Sequence, residues 1–147
     1  MQISSMIRRA AQVNPDGIAT IYEDRQQTWS EMKDRVARLA GALQDQGMKP
    51  GDRVALLSLN SDRFIEYYFA VVWGGGAMMP MNIRWAAAEC AYALNDAGAE
   101  ILIVDDAFKA LAAEIDPHVE GLKTMIYSGD AETPEGMLNY EEILAAA

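Results

Sequence analysis

Several short stretches of this sequence contain residue types that could do chemistry. Gly74-Gly75-Gly76 is rich enough in glycine to suggest a loop that cradles phosphate groups. A phosphate loop, however, follows a strand and opens a helix, whose N-terminal amide groups then point at the anion. Here the glycines close a predicted helix and lead into a strand, and no Gly-Lys-Ser/Thr follows them. This order predicts a helix-to-strand connection rather than a nucleotide site.

Three other candidates are weighed in the same way. His118, the only histidine, could be a general base, but the segment from Asp116 to Glu120 is typical of a surface loop. Cys90 could be a nucleophile, but its alanine-rich helix predicts a small buried hydrophobe. Asp105-Asp106 could bind a metal, although two acids at a strand-to-helix junction more often cap the helix. Composition and spacing therefore predict no catalytic, cofactor-binding or metal-binding residue.

The stretch from 61 to 82 organises the predicted fold. Ser61 is a good N-cap for a helix in which only Glu66 is charged between Phe64 and Trp73. A helix that is apolar nearly all the way round is predicted to be buried. Ala77 to Met81 then predict a short interior strand. We assign the methionine and aromatic side chains of this stretch to the core, with the wall of a binding site as the alternative.

Residues 1–52 predict a helix, a β-hairpin and a long helix. The first helix runs from Ser4 or Ser5 to about Val13, and the hairpin pairs residues 18–22 with residues 26–29. Ser30 is the predicted N-cap of the long helix, which ends near Gln46. The predicted inner face of the first helix consists of Ile3, Met6, Ile7 and Ala10. The predicted apolar stripe of the long helix consists of Met32, Val36, Leu39, Ala40 and Leu43. Its largely solvent-facing side is predicted to carry Lys33, Arg35 and Arg38.

Residues 53–147 predict alternating strands and helices. Strands are expected at 53–58, 77–81, 101–104 and 124–127, with helices between them and a short helical turn near residues 138–144. This alternation predicts a parallel sheet with helices on both faces. The expected fold class is α/β, with a helix and a β-hairpin preceding the sheet. We expect residues 1–52 and 53–147 to form one compact fragment of a larger N-terminal domain.

Composition excludes several classes of function. The hydrophobic fraction of 51% is enough for a sizeable core. A net charge of −10 without a basic stripe argues against nucleic acid and against anionic membrane surfaces. The single cysteine cannot form an internal disulfide, which indicates a reducing compartment, the cytoplasm. No signal peptide and no apolar run of membrane-spanning length are recognised.

Taken together and in order, several segments resemble the AMP-forming acyl-CoA synthetases, a group of adenylate-forming enzymes. Thr28-Trp29-Ser30-Glu31-Met32 resembles their first core motif, and the segment from Phe69 to Arg84 resembles the second. The segment from Glu89 to Asp105 is similar to the part that follows, and Pro50 to Ala55 also fits. The resemblance covers almost the whole chain and implies the N-terminal lobe of such an enzyme.

This resemblance implies a parent enzyme that activates a carboxylic acid with Mg-ATP to an acyl-adenylate and then transfers the acyl group to coenzyme A. Asn82-Ile83-Arg84 is similar to fatty-acid and other acyl-CoA ligases, whereas peptide synthetases usually carry an Asp-Pro sequence there. A fatty acid is therefore the expected substrate. One departure is Ala86, where relatives often place a serine that caps the next helix with Glu89, so a weaker helix start is expected.

The motifs that carry the nucleotide chemistry of this family do not occur in the chain. They are a Ser/Thr/Gly-rich loop ending in Pro-Lys-Gly, an aromatic-Thr-Glu segment, an acidic ribose contact and a late lysine; Ser128-Gly129-Asp130 is not that loop. We therefore expect the fragment to be inactive, with no cofactor of its own. Its expected partners are the remainder of the parent chain and a small carboxylic acid. The alternative is a stand-alone interaction module, and exposed apolar surface predicts self-association in either case.

Overall fold

The computed structural model describes residues 2–147. Two helices and a hairpin come first: α1 (Ser4–Val13), β1 (Ile18–Tyr22), β2 (Arg25–Thr28) and α2 (Trp29–Asp45). The chain then alternates through β3 (Arg53–Leu57), α3 (Asp62–Trp73), β4 (Ala77–Pro80), α4 (Ala87–Ala97), β5 (Ile101–Val104) and α5 (Lys109–Ile115). A short 3-10 helix (Asp116–His118), β6 (Thr124–Tyr127), β7 (Leu138–Asn139) and α6 (Tyr140–Ala146) complete it.

Strands β3 to β7 form one parallel sheet in the order β4-β3-β5-β6-β7, and β1 pairs with β2 in a separate antiparallel hairpin. The prediction of a parallel α/β sheet preceded by a helix and a hairpin is confirmed. The chain adds β4 on one side of β3 and then returns to add β5 on the other side. The order in which strands are added therefore reverses between β3 and β5, and this place is the topological switch point of the sheet.

Helices cover both faces of the sheet, as predicted. One apolar cluster combines α1, α2, α3 and α6 with side chains such as Val54 and Ile103. The other combines α4 and α5 with the opposite side chains of the same strands, such as Ala55 and Leu102. This division follows from the alternation of side chains along a strand. Along residues 2–147, none of the helices combines the length and apolar character that crossing a membrane requires.

Two of the predicted helix starts are wrong. The N-cap of α2 is Thr28, whose Oγ1 accepts from the Glu31 amide while the Glu31 carboxylate accepts from the Thr28 amide. Ser30 lies inside the first turn because this reciprocal pair fixes the start two residues earlier. Helix α5 begins at Lys109 and has no side-chain cap, so Asp105 and Asp106 do not cap it.

The prediction that helix α3 is buried holds for one side of the helix only. Ser61 caps it as predicted, but its buried side includes the charged residues Asp62, Arg63 and Glu66. Ile65 is 41% exposed, and several aromatic side chains are only half-buried. The chain buries charges there because each has a partner, and it leaves apolar side chains on the outer side. Apolar composition alone did not identify which side faces the core.

Two further predictions about burial are wrong. Strand β4 lies at the edge of the sheet and is half-buried, rather than interior, because nothing pairs with its outer side within residues 2–147. On α1 only Ile7 of the four predicted inner residues is buried; Ile3 and Met6 are exposed, and Ala10 is partly so. The α2 stripe is buried as predicted. Residues 138–144 form β7 and the start of α6 rather than a helical turn alone.

Candidate functional site

Open α/β sheets usually bind ligands at the topological switch point, just beyond the carboxyl ends of the strands. Here a cleft of about 190 Å³ lies among the loops that follow β3, β5 and β6. The Asp105 carboxylate bridges two of these loops by accepting from the Leu59 amide (2.9 Å) and from Ser58 Oγ (3.2 Å). Its other oxygen accepts from the Ala107 amide at 3.0 Å. Asp105 therefore ties the loops together.

Asp106 has an equivalent role between the loops that follow β5 and β6. Its carboxylate accepts from the Tyr127 hydroxyl, from the Asp130 amide (2.9 Å) and from Lys109 Nζ (3.3 Å). The Tyr127 hydroxyl bond lowers the pKa of Asp106, while burial and this bond raise the pKa of Tyr127 to about 12. Within residues 2–147, no three potential metal-ligating side chains converge. The metal interpretation of Asp105-Asp106 has no geometric support.

A cluster of ion pairs, hereafter the charged cluster, joins the hairpin, α2, α3 and α6. It consists of Arg25, Arg35, Arg63, Asp62, Glu66, Asp130 and Glu141. Arg25 bridges Asp62 and Asp130 at 2.8 Å each. Arg35 bridges Glu66 and Glu141 at 2.7 Å each. The prediction that Arg35 lies largely on the solvent-facing side of α2 is therefore wrong. Such bidentate guanidinium contacts fix the relative positions of the elements that carry them.

Glu66 lies at the centre of the charged cluster and is fully buried. Its carboxylate accepts from Gln27 Nε2 (2.8 Å), from Arg35 Nε (2.7 Å) and from the Tyr140 hydroxyl (2.6 Å). Arg63 Nη1 donates to the Ser128 carbonyl at 2.7 Å. Burying a carboxylate costs several kcal/mol unless charge and hydrogen bonds offset it. Four elements must therefore be in place before Glu66 is satisfied.

The pKa values of three groups in or beside the charged cluster are shifted in directions that do not favour proton transfer near neutral pH. The Arg35 hydrogen bond, assisted by the nearby Arg63 charge, lowers the pKa of Glu141 despite partial burial. Burial tends to raise the pKa of Asp130, but hydrogen bonds from Arg25 and Arg63 lower it overall. Burial and the Glu66 charge raise the pKa of Tyr140. A general acid or base near neutral pH needs a pKa near 7, and these shifts move away from that range.

Tyr67 makes a second buried polar contact, on the β3–β4 side of α3. Its hydroxyl donates to the Val54 carbonyl (2.6 Å) and accepts from the Met79 amide (2.7 Å). The hydroxyl thus stands between two strands whose flanking positions are bonded directly, as from the Met81 amide to the Leu56 carbonyl at 2.8 Å. Tyr67 is fully buried, and burial raises its pKa. It positions the edge strand β4.

The glycine triplet is a structural turn, as the residue order predicts. Gly75 has φ 92°, a left-handed conformation that glycine adopts without strain. A Cβ on Gly76 would lie 2.7 Å from Met48 Sδ, so the chain passes closely beneath that side chain. The triplet lies at the C-terminal end of α3, away from any helix N-terminus. Its amides therefore cannot form a phosphate loop.

The remaining sequence candidates are placed as follows. Cys90 is a buried free cysteine, and burial raises the pKa of its thiol, which opposes reactivity. His118 is exposed in the 3-10 helix and accepts from Asn95 Nδ2 through its backbone carbonyl (3.0 Å). Asn82 accepts from the Arg84 amide (2.9 Å) in an exposed turn.

An apolar groove runs along the outer side of α4 beside β4, with a volume of about 630 Å³. We call it the α4 groove. Its apolar lining consists of Met79, Trp85, Ala88, Tyr92, Ala93 and Ala97. Glu89 and Asp96 border it. Of the methionines considered for a binding wall, Met79 lines this groove, whereas Met78 packs against the core.

Sequence reasoning missed the charged cluster and Tyr67. One signal was available for Glu66, because a single charge in an otherwise apolar helix predicts a buried, paired carboxylate. Its partners Arg35, Gln27 and Tyr140 lie on other elements and have no sequence spacing in common with it. Nothing in the sequence marks Tyr67 among neighbouring aromatic residues. Only the packing of α3 on β3 and β4 identifies it.

Comparison with known proteins now places this fold in a family. The sequence pattern described as AMP-binding enzyme matches residues 7–146. The chain belongs to this family. Feruloyl-CoA synthase of Amycolatopsis is 39% identical over 95 residues, which are 65% of this chain and 19% of that protein. The long-chain-fatty-acid–CoA ligase of Thermus thermophilus is 37% identical over 117 residues, 80% of this chain and 21% of that protein.

Solved structures of the family have the same fold. The fatty acyl CoA synthetase of Mycobacterium tuberculosis has a TM-score of 0.85 at 28% identity, covering 99% of this chain and 28% of that chain. The N-terminal domain of FACL13 from the same organism has a TM-score of 0.82 at 27% identity, covering 99% and 36%. The chain spans about a fifth of the length of the feruloyl-CoA synthase and of the Thermus ligase.

Proposed function

We propose that this chain is the N-terminal part of an ATP-dependent carboxylic acid–CoA ligase. The parent enzyme would form an acyl-adenylate from the acid and Mg-ATP, release pyrophosphate, and transfer the acyl group to coenzyme A. The observation that carries the proposal is the family match over residues 7–146, together with CoA ligases among the similar proteins. A fatty acid is the proposed substrate, since one of these relatives is named a long-chain-fatty-acid–CoA ligase.

We propose further that the isolated chain does not catalyse this reaction. The glycine triplet is at the wrong end of a helix to hold phosphates. The carboxylates of the charged cluster accept hydrogen bonds from within the chain, and so do Asp105 and Asp106 in the cleft beyond β3, β5 and β6. The role of residues 2–147 in the parent would be to build and orient the sheet. The proposed compartment is the cytoplasm, since the only cysteine is unpaired.

The deciding experiment is to read the gene beyond the codon for Ala147 and to express any longer product. We expect an open frame with a Ser/Thr/Gly-rich loop and a late lysine. The longer product should catalyse ATP–pyrophosphate exchange with fatty acids, whereas the 147-residue chain should not. A natural stop codon after Ala147 would overturn the ligase proposal. Exchange by the purified 147-residue chain would overturn its inactivity.

The alternative function is a non-catalytic interaction module on the same scaffold. The observation that favours it is the α4 groove, an open apolar surface in which Tyr92 is 73% exposed. Apolar surface of this kind commonly marks a contact with another protein. A stop codon after Ala147 combined with association of the purified chain would favour this module over the ligase fragment.

A further inference from the structure

We propose that the α4 groove binds helix α1 of a second copy of this chain. The proposal names the surfaces of the self-association expected from the sequence, and it stands whether or not the parent protein is a ligase. It rests on three features of the described chain: an unpartnered apolar stripe on α1, the shape of the α4 groove, and opposite charge on the two surfaces.

The α1 stripe consists of Ile3, Met6, Ala10 and Val13. These residues are spaced i, i+3, i+7 and i+10, so they follow one side of the helix. Ile3, Met6 and Val13 are exposed by 48%, 58% and 70%. The helix is already anchored through other residues, because Ile7 is buried and the Arg8 guanidinium lies 4.0 Å from the Trp73 ring. The stripe is therefore free for a contact outside its own chain.

The α4 groove has the form that an amphipathic helix requires. Ala88, Ala93 and Ala97 leave room for the backbone of another helix to approach, while Trp85 and Tyr92 form walls. The ten residues of α1 and the eleven of α4 span about 15 and 16 Å, so the two helices match in length. Helices whose apolar side chains recur at this spacing bind such grooves in many complexes.

Charge favours contact between α1 and the α4 groove over contact between two α1 helices or between two α4 grooves. Arg8 and Arg9 are the only charged residues between positions 2 and 13, whereas the whole chain carries a net charge of −10. Arg9 lies three residues after Met6 and four before Val13, which places it beside the α1 stripe. Glu89 and Asp96 border the α4 groove. A basic helix in an acid-bordered groove is favourable, whereas two α4 grooves facing each other would repel.

The contact is heterologous, since one copy supplies the stripe and the other supplies the groove. This geometry gives a mixing test. Met6→Asp places a charge on the stripe but keeps the groove, and Tyr92→Asp does the reverse. Each variant alone should associate about tenfold more weakly than the wild type, or worse, in light scattering across a wide concentration range. Mixed together, the two variants should form a one-to-one complex through the intact stripe and the intact groove.

Gln12→Asp is the matched control, because it adds the same charge to α1 away from the stripe and should associate like the wild type. Circular dichroism of every variant establishes that it is folded. A monomeric wild-type chain over the whole range would overturn the proposal. Association that survives Met6→Asp, an equal loss with Gln12→Asp, or no complex in the mixture of folded variants would overturn it as well.

Discussion

The buried hydroxyl of Tyr67 shows how one atom can set the position of a strand. It lies between the two strands, where it donates to the Val54 carbonyl and accepts from the Met79 amide. The edge strand β4 has no second neighbouring strand within residues 2–147. The Tyr67 hydroxyl and the direct bonds on either side of it together hold β4 on β3, and they thereby position Met79 in the wall of the α4 groove.

We expect Tyr67→Phe to lower the free energy of unfolding by about 1–3 kcal/mol, because it removes both hydrogen bonds of a fully buried hydroxyl. Urea denaturation followed by tryptophan fluorescence measures the change. Tyr68→Phe is the matched control, since Tyr68 is on the same helix, only half-buried, and should change stability by less than about 0.5 kcal/mol. Equal effects of the two substitutions would contradict the bridging role of Tyr67.

Glu66 gives a second prediction at the scale of one residue. Glu66→Gln keeps the shape but removes the charge that Arg35, Gln27 and Tyr140 donate to. The substitution leaves Glu141 as the only carboxylate paired with Arg35 and puts a neutral amide opposite three donors. We therefore expect a loss of about 2–3 kcal/mol in the free energy of unfolding. Glu114→Gln on the exposed side of α5 is the control and should be nearly neutral. A neutral Glu66→Gln in the same denaturation measurement would refute this account.

At the scale of elements, the charged cluster joins segments that are far apart in the chain. The hairpin contributes Arg25, the loop after β6 contributes Asp130, and α6 contributes Glu141. All three meet around α3, where Arg63 binds both acids. Surface ion pairs alone contribute little, but here each arginine bridges two carboxylates. Attachment of the hairpin and of α6 should therefore depend on pH.

Folding lowers the pKa values of Asp130 and Glu141. Each carboxylate therefore adds stability above its unfolded pKa, which is about 4, and this contribution is lost as the pH falls through the folded value. We expect the free energy of unfolding to be nearly constant from about pH 7 to 5 and to decrease below about pH 4. Urea denaturation at a series of pH values measures this dependence.

Glu141→Gln removes one of the two acids, so the decrease below about pH 4 should be smaller in this variant than in the wild type. Glu142→Gln is the neighbouring control, because Glu142 is exposed and lies outside the charged cluster. Identical pH profiles for the wild type and Glu141→Gln would show that Glu141 contributes nothing to the acid sensitivity.

At the scale of the whole molecule, one of the two buried clusters contains residues from both sides of position 52. Met32, Val36 and Leu39 of α2 belong to the same buried cluster as Val54, Leu56 and Ile103 of the sheet. Without α1 and α2, this cluster would keep only α3 and α6 as its helical cover, and part of it would meet solvent. The division at residue 52 therefore separates sequence patterns, and we propose that it does not separate folding units.

We expect a chain of residues 53–147 alone to lack a cooperative unfolding transition, because the apolar side chains that α1 and α2 contribute to one of its two cores are gone. Circular dichroism during urea denaturation is the measurement. Deletion of residues 2–3 alone, which are exposed, should leave the midpoint close to that of the full chain. A cooperative transition of residues 53–147 at the full-chain midpoint would contradict the prediction.

The sequence by itself determined the order and type of most elements. Alternation of buried strands with periodic helices fixed a parallel α/β sheet, and Gly75, Gly98 and Ser61 marked turns and a cap because their local chemistry is sufficient for that purpose. The order of motifs also indicated the family. These features are local, or they follow from periodicity along the chain.

Only the tertiary structure decided which side of each element is covered. Apolar α3 buries Asp62 and Glu66 and exposes Ile65, because partners from the hairpin, α2 and α6 satisfy the charges. Strand β4 looked interior but lies at an edge, and half of the predicted α1 face is exposed. Burial depends on which elements meet, and ion pairs between residues far apart in the chain have no signature in its periodicity.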